Sequence, residues 1–174
     1  MSTTFLIRGV GFSPADVGLM NKSMGLVATI VGALLGGALQ ARLGLWRALL
    51  LFGVLPGASN LAYWVLAISP QSLALMGLAI GVENFTGGMG TAAFVALLSA
   101  LCDVRFSATQ FALLSALSAV GRVYVGPATG YLVEAMGWPA FYLFTVAAAV
   151  PGVVLIALLR RQITAREAPE ERPG

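Results

Sequence analysis

The sequence contains no histidine, a single cysteine (Cys102) and few charged residues. One cysteine forms no disulfide within the chain, and without histidine a His/Cys metal site is disfavoured. Only 10% of the 174 residues are charged and 59% are hydrophobic, whereas a soluble domain carries about 25% charged residues. The composition therefore indicates a membrane protein. A net charge of +3 does not call for a nucleic-acid partner, because the basic residues lie mainly at the ends of apolar segments.

Long apolar runs predict an all-α, polytopic transmembrane helix bundle. Residues 1–15 hold only a short run, interrupted by Arg8, which we interpret as the end of a spanning helix that begins outside this chain and not as a signal peptide. The bundle is assigned to residues 1–162, and the polar residues 163–174 are expected to form a disordered cytoplasmic tail. Five full spans are predicted, at residues 16–39, 45–68, 72–101, 109–136 and 140–159.

Small residues in the first span and polar residues in the first two predict how the helices pack. One face of the first span carries small residues at helical spacing, which is typical of close helix–helix contact: Gly25, Thr29, Gly32 and Gly36. Lys22 lies about 10 Å into this span, so it either reaches back to the headgroups or faces a cavity. In the second span a kink is expected at Pro56 and Gly57, and Asn60 is expected to hydrogen-bond a neighbouring helix.

Arginines in the short connections predict the orientation. If each span crosses once, Arg8 lies alone on one side, and the other side holds Arg42, Arg47, Arg105, Arg160 and Arg161. The side rich in arginine is predicted to be cytoplasmic, together with the C-terminus.

The third and fourth spans place polar groups within the bilayer. Glu83, Asn84 and Thr86 lie in a glycine-rich stretch of the third span, and Arg122 and Ser118 share a stripe of the fourth. Glu83 and Arg122 both lie about 20 Å from the outer face by helical rise. Charged side chains in a bilayer normally face a protein interior or a water-filled path. Since ionisable groups enter the first, third and fourth spans only, these three are expected to line a cavity, with the second and fifth spans against lipid.

Three interpretations of Glu83 and Arg122 remain open. The two side chains form a purely structural ion pair, or Arg122 binds a carboxylate or phosphate of a substrate, or proton coupling is added through Glu83. In the third interpretation an anion that engages Arg122 favours protonation of Glu83. A membrane enzyme is disfavoured, since away from the span ends Glu83 is the only carboxylate and the sequence has no histidine to act as its acid–base partner.

Several motifs resemble those of the major facilitator superfamily. Residues 37–47 (GALQARLGLWR) are similar to its cytoplasmic G-x-L-x-D-R-x-G-R-R loop, with Ala41 at the acidic position and Leu45 at a basic one. Residues 126–130 (GPATG) and 137–141 (GWPAF) also look like facilitator segments. Residues 83–94 (ENFTGGMGTAAF), 105–110 (RFSATQ) and 115–122 (SALSAVGR) resemble the AmpG muropeptide permease family within it.

The resemblance implies the C-terminal half of a proton-driven importer of anhydro-muropeptides in the bacterial inner membrane. Its implied partners are the bilayer, a glycopeptide substrate and a missing N-terminal half or partner chain, with protons as coupling ion and no other cofactor. The substrate or proton pathway is expected to include Glu83, Arg122, Asn84, Lys22, Thr86 and Ser118. The alternative is a non-transporting membrane subunit or truncated remnant with structural charges. A fragment, a split gene product and a misassigned start are all compatible with the length.

Overall fold

The structure is a computed structural model that describes residues 2–102 and 107–167, without the side chains of residues 121, 122, 125–128, 166 and 167. All the described elements are helices, as predicted. They are α1 (residues 2–9, whose last turn Phe5–Gly9 is π-helical), α2 (Pro14–Leu43), α3 (Leu45–Ile68), α4 (Leu73–Leu101), α5 (residues 107–136), α6 (residues 138–158) and α7 (Arg160–Glu167).

Four stretches among the described residues are long and apolar enough to cross a membrane: Pro14–Leu43, Leu45–Ile68, Leu73–Leu101 and Thr129–Leu158. Ser107–Val120 is a shorter apolar helix. The α5–α6 region is helical from Ser107 to Leu158 except at Gly137, which has φ 77° and divides it at the predicted turn. These helices form a partial bundle of the kind that the sequence predicts.

The helices begin and end at residues with recognisable local chemistry. Ser13 accepts a hydrogen bond from the Asp16 backbone N–H at 3.1 Å, and Pro14 occupies the first turn of α2, where its missing N–H costs nothing. Gly44 has φ 83°, a conformation that favours glycine, and it separates α2 from α3. Ser72 caps α4 by accepting from the Leu75 N–H at 3.4 Å.

Glycines bring α2 and α4 into backbone contact, which confirms the predicted packing stripe. A Cβ on Gly36 would lie 2.7 Å from the Met89 Cα, and a Cβ on Gly32 would overlap the carbonyl oxygen of Phe85. In the other direction, a Cβ on Gly88 would meet the backbone of Thr29. The two backbones therefore approach to a separation that only glycine permits.

Helix α3 packs against both α4 and α6. Asn60 donates to the Thr145 hydroxyl at 2.9 Å, which confirms its predicted role as an interhelical hydrogen-bond partner. Nearby, Gly57 admits Ala149 of α6, whose Cβ would lie 3.4 Å from a Cβ on that glycine. Pro56 lies inside α3, which is helical from Leu45 to Ile68.

Two apolar clusters hold the opposite ends of the bundle. At one end Phe5 of α1 packs against Tyr63, Trp138 and Tyr142, with ring centroids 5.0–6.1 Å apart. At the other end the buried residues are Leu45, Ala48, Leu49, Phe52, Met89, Ala93 and Ile163. Together the clusters fix α1 and α7 to the bundle.

The first residues of the expected disordered tail are helical in the structure. Helix α7 runs from Arg160 to Glu167, and Ile163 is buried against Leu45 and Ala48 of α3. A single well-placed apolar side chain thus extends the ordered bundle past residue 162. Residues 168–174 lie outside the described part.

Candidate functional site

The Glu83 carboxylate lies midway along α4, half-buried and hydrogen-bonded by hydroxyl groups from two other helices. The Tyr63 hydroxyl of α3 donates to Oε2 at 2.5 Å, and the Ser2 hydroxyl of α1 donates to Oε1 at 3.0 Å. Each carboxylate oxygen therefore accepts one hydrogen bond, which is the arrangement suited to an ionised carboxylate. Both oxygens of the half-buried carboxylate are thus supplied with hydrogen-bond donors.

Tyrosine rings form one wall beside Glu83. Tyr63 and Tyr142 stack with centroids 5.4 Å apart and ring planes only 13° from parallel. Phe5 meets both rings edge-on. All three side chains are nearly inaccessible to solvent, at 1% for Phe5 and Tyr63 and 4% for Tyr142. The carboxylate is thus held next to a dry aromatic cluster that joins α1, α3 and α6.

The Tyr142 hydroxyl is exceptional within this cluster. It is buried and has no hydrogen-bond partner among the described residues, although the Glu83 carboxylate is close enough to act on it electrostatically. A buried hydroxyl without a partner costs about 1–3 kcal/mol in desolvation. Such a group in an otherwise satisfied cluster calls for a physical explanation.

A separate polar groove lies between α2 and α4. It is open, has a volume of about 480 Å³, and is lined by Asn21, Lys22, Gly25, Leu26, Thr29 and Asn84. The Thr29 hydroxyl lies 3.2 Å from Asn84 Oδ1, and Asn84 Nδ2 donates to the Ile80 carbonyl at 2.8 Å. The groove therefore presents a lysine beside two amide side chains, of which Asn84 is held in place by its own helix.

Backbone geometry places Lys22 at an irregular part of α2. The segment Asn21–Gly25 is π-helical, and the Asn21 amide donates to the Val17 carbonyl at 3.0 Å. Single π-helical turns inside α-helices occur frequently at functional sites. Lys22 itself is exposed, so the structure leaves its ammonium group available to the groove.

Consecutive residues of α4 thus serve two different surfaces. Glu83 contacts α1 and α3, whereas Asn84 contacts α2. Successive residues of an α-helix point about 100° apart, which accounts for the division. The structure brings Asn84 together with Lys22 in the groove and assigns Glu83 to the aromatic cluster.

Thr86 and Ser118 use their hydroxyls within their own helices. Thr86 is 5% exposed, and its Oγ1 lies 2.8 Å from the Val82 carbonyl oxygen and 3.1 Å from that of Glu83. Ser118 donates to the Ser115 carbonyl at 2.8 Å. The Arg122 side chain lies outside the described residues, and so does the expected pairing of Arg122 with Glu83.

The surroundings of Glu83 differ from the expectation in one respect. The second and fifth spans were expected to lie against lipid, yet α3 contributes Tyr63 and α6 contributes Tyr142 to the carboxylate's surroundings. The reason is that tyrosine is classed as a hydrophobic residue although it carries a hydroxyl. The second and fifth spans therefore looked apolar at the positions of Tyr63 and Tyr142. A tyrosine within an otherwise apolar span was the signal that could have revealed them.

A metal site finds no support in this geometry. Among the residues that the structure describes, no group of three or more His, Cys, Asp or Glu side chains is placed to hold a metal ion. The polar atoms around Glu83 are hydroxyls, and those in the groove are amides, a hydroxyl and an ammonium group. The site is therefore suited to proton and hydrogen-bond chemistry.

Comparison with known proteins gives one family and a set of longer relatives. The model of the Major Facilitator Superfamily matches residues 1–174. The chain is 64% identical over 163 residues to the "Anhydromuropeptide permease" of Escherichia coli (strain K12), covering 94% of this chain and 33% of that protein. It is 34% identical over 154 residues to the "Putative transporter AmpG 4" of Rickettsia conorii, covering 88% of this chain and 37% of that protein. The chain thus spans about a third of the length of these curated relatives.

Proposed function

The chain belongs to the major facilitator superfamily, and we propose that it supplies the C-terminal half of a proton-coupled importer of anhydro-muropeptides. The observation that carries the proposal is the 64% identity to a protein named for that substrate, over 94% of this chain. Family membership makes the chain part of a transporter and not an enzyme. The substrate, the coupling ion and the direction are the proposed parts.

The α2–α4 groove is proposed to contact the substrate. An anhydro-muropeptide carries carboxylates and amide groups, and the groove offers the Lys22 ammonium for the former and the side chains of Asn21 and Asn84 for the latter. Arg122 and Ser118 of α5 are proposed to extend this contact, with Arg122 offering its planar donor fork to a second anionic group. Thr86 is proposed to border the pathway without binding substrate directly, since its hydroxyl is used within α4.

Glu83 is proposed to carry the coupling proton. Its two oxygens accept hydrogen bonds from the hydroxyls of Tyr63 and Ser2, so a change in these contacts would change how readily the carboxyl holds a proton. Because Glu83 and Asn84 adjoin on α4, a shift of that helix on substrate binding would change the carboxylate's hydroxyl contacts. Substrate and proton are therefore linked through the position of one helix.

The proposed setting is the inner membrane of a bacterium, with several further spans completing the cavity. Transporters of this superfamily bind substrate between two pseudo-symmetric halves, and the relatives are about three times as long as the matched segment. The remaining helices, in the same polypeptide or a partner chain, are the proposed N-terminal half.

A chimeric permease tests the proposal. We would replace the matching segment of the Escherichia coli permease with the 163 matched residues of this chain and measure uptake of labelled anhydro-muropeptide into proteoliposomes under an imposed proton gradient. The expected result is uptake above the equilibrium level. If the unmodified permease accumulates substrate and the equally well-folded chimera does not, the chain is better explained as a non-transporting subunit or remnant.

Glu83→Gln tests the coupling residue in that chimera. Glutamine keeps the size of the side chain and one acceptor oxygen, replaces the other oxygen with an NH2 donor, and does not titrate. We therefore expect equilibration of substrate without gradient-driven accumulation. Glu134→Gln is the matched control, because Glu134 is an exposed carboxylate on α5, and its accumulation should equal that of the unsubstituted chimera. Full gradient dependence in Glu83→Gln would assign coupling to another group.

A further inference from the structure

The Glu83 cluster consists of Glu83, Ser2, Tyr63 and Tyr142. It supplies hydrogen-bond donors for the ionised carboxylate, and one of its hydroxyls has no hydrogen-bond partner among the described residues. Ser2 and Tyr63 each donate their single hydroxyl proton to a carboxylate oxygen. When the carboxyl gains a proton, one of its oxygens becomes a donor and needs an acceptor. If Tyr63 were to accept instead, its own proton would lose its partner inside a dry cluster, at a desolvation cost.

Tyr142 offers the missing acceptor. Its hydroxyl is buried without a partner among the described residues, and its ring stacks on that of Tyr63, whose hydroxyl touches Glu83. The ring is fixed on its other sides by Phe5, Trp138 and Phe141. The Tyr142 hydroxyl is thus held in the same cluster as the Glu83 carboxylate, which acts on it electrostatically. Since both of its lone pairs are available, it is suited to accept a hydrogen bond from a protonated carboxyl.

We propose that Tyr142 accepts a hydrogen bond from Glu83 when this carboxyl is protonated, so that the two stacked tyrosines stabilise opposite protonation states. Tyr63 donates to the ionised form, and Tyr142 accepts from the neutral form. The cluster then forms a two-position hydrogen-bond switch in the transporter, and this inference rests on the proposed role of Glu83 as the proton carrier. Among the described residues, the Ser2 hydroxyl of α1 also hydrogen-bonds the Glu83 carboxylate. The Arg122 side chain of α5 lies outside the described residues.

The proposal predicts shifts of opposite sign for the same chemical change. Tyr142→Phe removes the acceptor and destabilises the protonated carboxyl, so the midpoint of Glu83 titration moves to lower pH. Tyr63→Phe removes a donor and destabilises the ionised carboxylate, so the midpoint moves to higher pH. A single net hydrogen bond corresponds to a displacement of about 0.5–1 pH unit in each case. Both variants lose one hydroxyl and keep the stacked ring, so each is the matched control for the other.

Two readouts on the chimeric permease separate this inference from the proposed function. The first is the pH profile of gradient-driven uptake. The second is infrared titration of the Glu83 carboxyl stretch, identified by its absence in Glu83→Gln, which requires no transport. If Tyr142→Phe and Tyr63→Phe shift the Glu83 midpoint in opposite directions but Glu83→Gln leaves gradient-driven uptake unchanged, the hydrogen-bond switch is supported and the coupling role is wrong. If Glu83→Gln abolishes coupling while Tyr142→Phe leaves the midpoint unchanged or raises it, the switch fails and the coupling role stands.

A measurement on the unsubstituted chimera covers the case in which Tyr142→Phe does not fold. Protonation of Glu83 should perturb the tyrosine C–O stretch in the same infrared titration, because a phenol oxygen gains a hydrogen bond. This perturbation should vanish in Glu83→Gln and persist in Tyr63→Phe, which removes the tyrosine hydroxyl already bound to the carboxylate. If the tyrosine C–O stretch of Tyr63→Phe did not respond to protonation of Glu83, the assignment to Tyr142 would be overturned.

Discussion

At the scale of single residues, Asn60 shows how one amide joins two apolar helices. It donates to the Thr145 hydroxyl at 2.9 Å, and that hydroxyl donates in turn to the Tyr142 carbonyl at 2.7 Å. The chain of hydrogen bonds runs from α3 into the turn of α6 that carries Tyr142. Asn60 therefore holds Tyr142 in register with Tyr63, three residues further along α3.

A double-mutant cycle on Asn60→Ala and Thr145→Val should measure this link. We expect a coupling of about 0.6 kcal/mol, the average for interhelical hydrogen bonds in membrane proteins, from reversible unfolding of the chimera in mixed micelles. Thr91 provides the matched control, since its hydroxyl donates within its own helix to the Gly87 carbonyl at 2.9 Å. A cycle on Asn60→Ala and Thr91→Val should give no coupling. Equal values in the two cycles would contradict the interhelical role.

The residue scale also separates what the sequence could predict from what it could not. Asn60 was predictable because a lone amide in an apolar span has few alternatives to a neighbouring helix. The hydrogen bond between Tyr63 and Glu83 was not predictable. Helical rise gives the depth of each residue in the bilayer, but it does not give the rotation of each helix about its axis, which decides which side chains meet. The described contacts of Glu83 come from α1 and α3. Its pairing with Arg122, which shares its predicted depth, stays a prediction because the Arg122 side chain lies outside the described residues.

At the scale of helices, glycine on α2 and α4 sets the distance between the elements that frame the groove. The backbones approach closely at Gly32, Gly36 and Gly88, and the polar groove opens beside this contact, near Gly25 and Asn84. This packing was predictable, since small residues at three- and four-residue steps form a stripe on any regular helix. The π-helical segment Asn21–Gly25 was not, because no local signal in those five residues distinguishes it from α-helix.

Alanine substitutions on α2 should separate packing from helix propensity. Gly32→Ala places a methyl group against the Phe85 carbonyl, so we expect a clear fall in the melting temperature of the chimera and a distorted groove. Gly37→Ala is the control on the same helix, because nothing lies within 4 Å of a Cβ there. Alanine is favoured over glycine within helices by about 1 kcal/mol, so this variant should be as stable as the parent or more so. Equal destabilisation by both would show that the α2–α4 contact is looser than described.

Proline and glycine cooperate at a second helix contact. Pro56 lacks an N–H, so the Phe52 carbonyl one turn earlier receives no hydrogen bond from it. Gly90 of α4 lies opposite, where an added Cβ would be 3.5 Å from that same Phe52 oxygen. The close approach of α4 thus covers a carbonyl that the proline leaves free, and the predicted kink at Pro56 remains a prediction.

At the scale of the whole molecule, the two ends of the bundle differ in charge. Trp46 at the start of α3 donates to the Ile156 carbonyl at 3.0 Å, and the Arg160 guanidinium lies 4.7 Å from the Trp46 ring centroid. These contacts bring the α2–α3 turn and the end of α6 to the same end of the bundle. That end carries four exposed arginines: Arg42, Arg47, Arg160 and Arg161. The opposite end, near the Phe5 cluster, carries Arg8.

This asymmetry leads to a topological prediction for the complete transporter. Loops rich in arginine are retained in the cytoplasm, so green fluorescent protein fused after residue 167 should fluoresce, and alkaline phosphatase fused there should be inactive. Phosphatase inserted at the α3–α4 turn, next to Pro70, is the reciprocal control and should be active in the periplasm. An active phosphatase after residue 167 would invert the orientation. The end of the bundle near the Phe5 cluster would then face the cytoplasm, and the proposed orientation would have to be reversed.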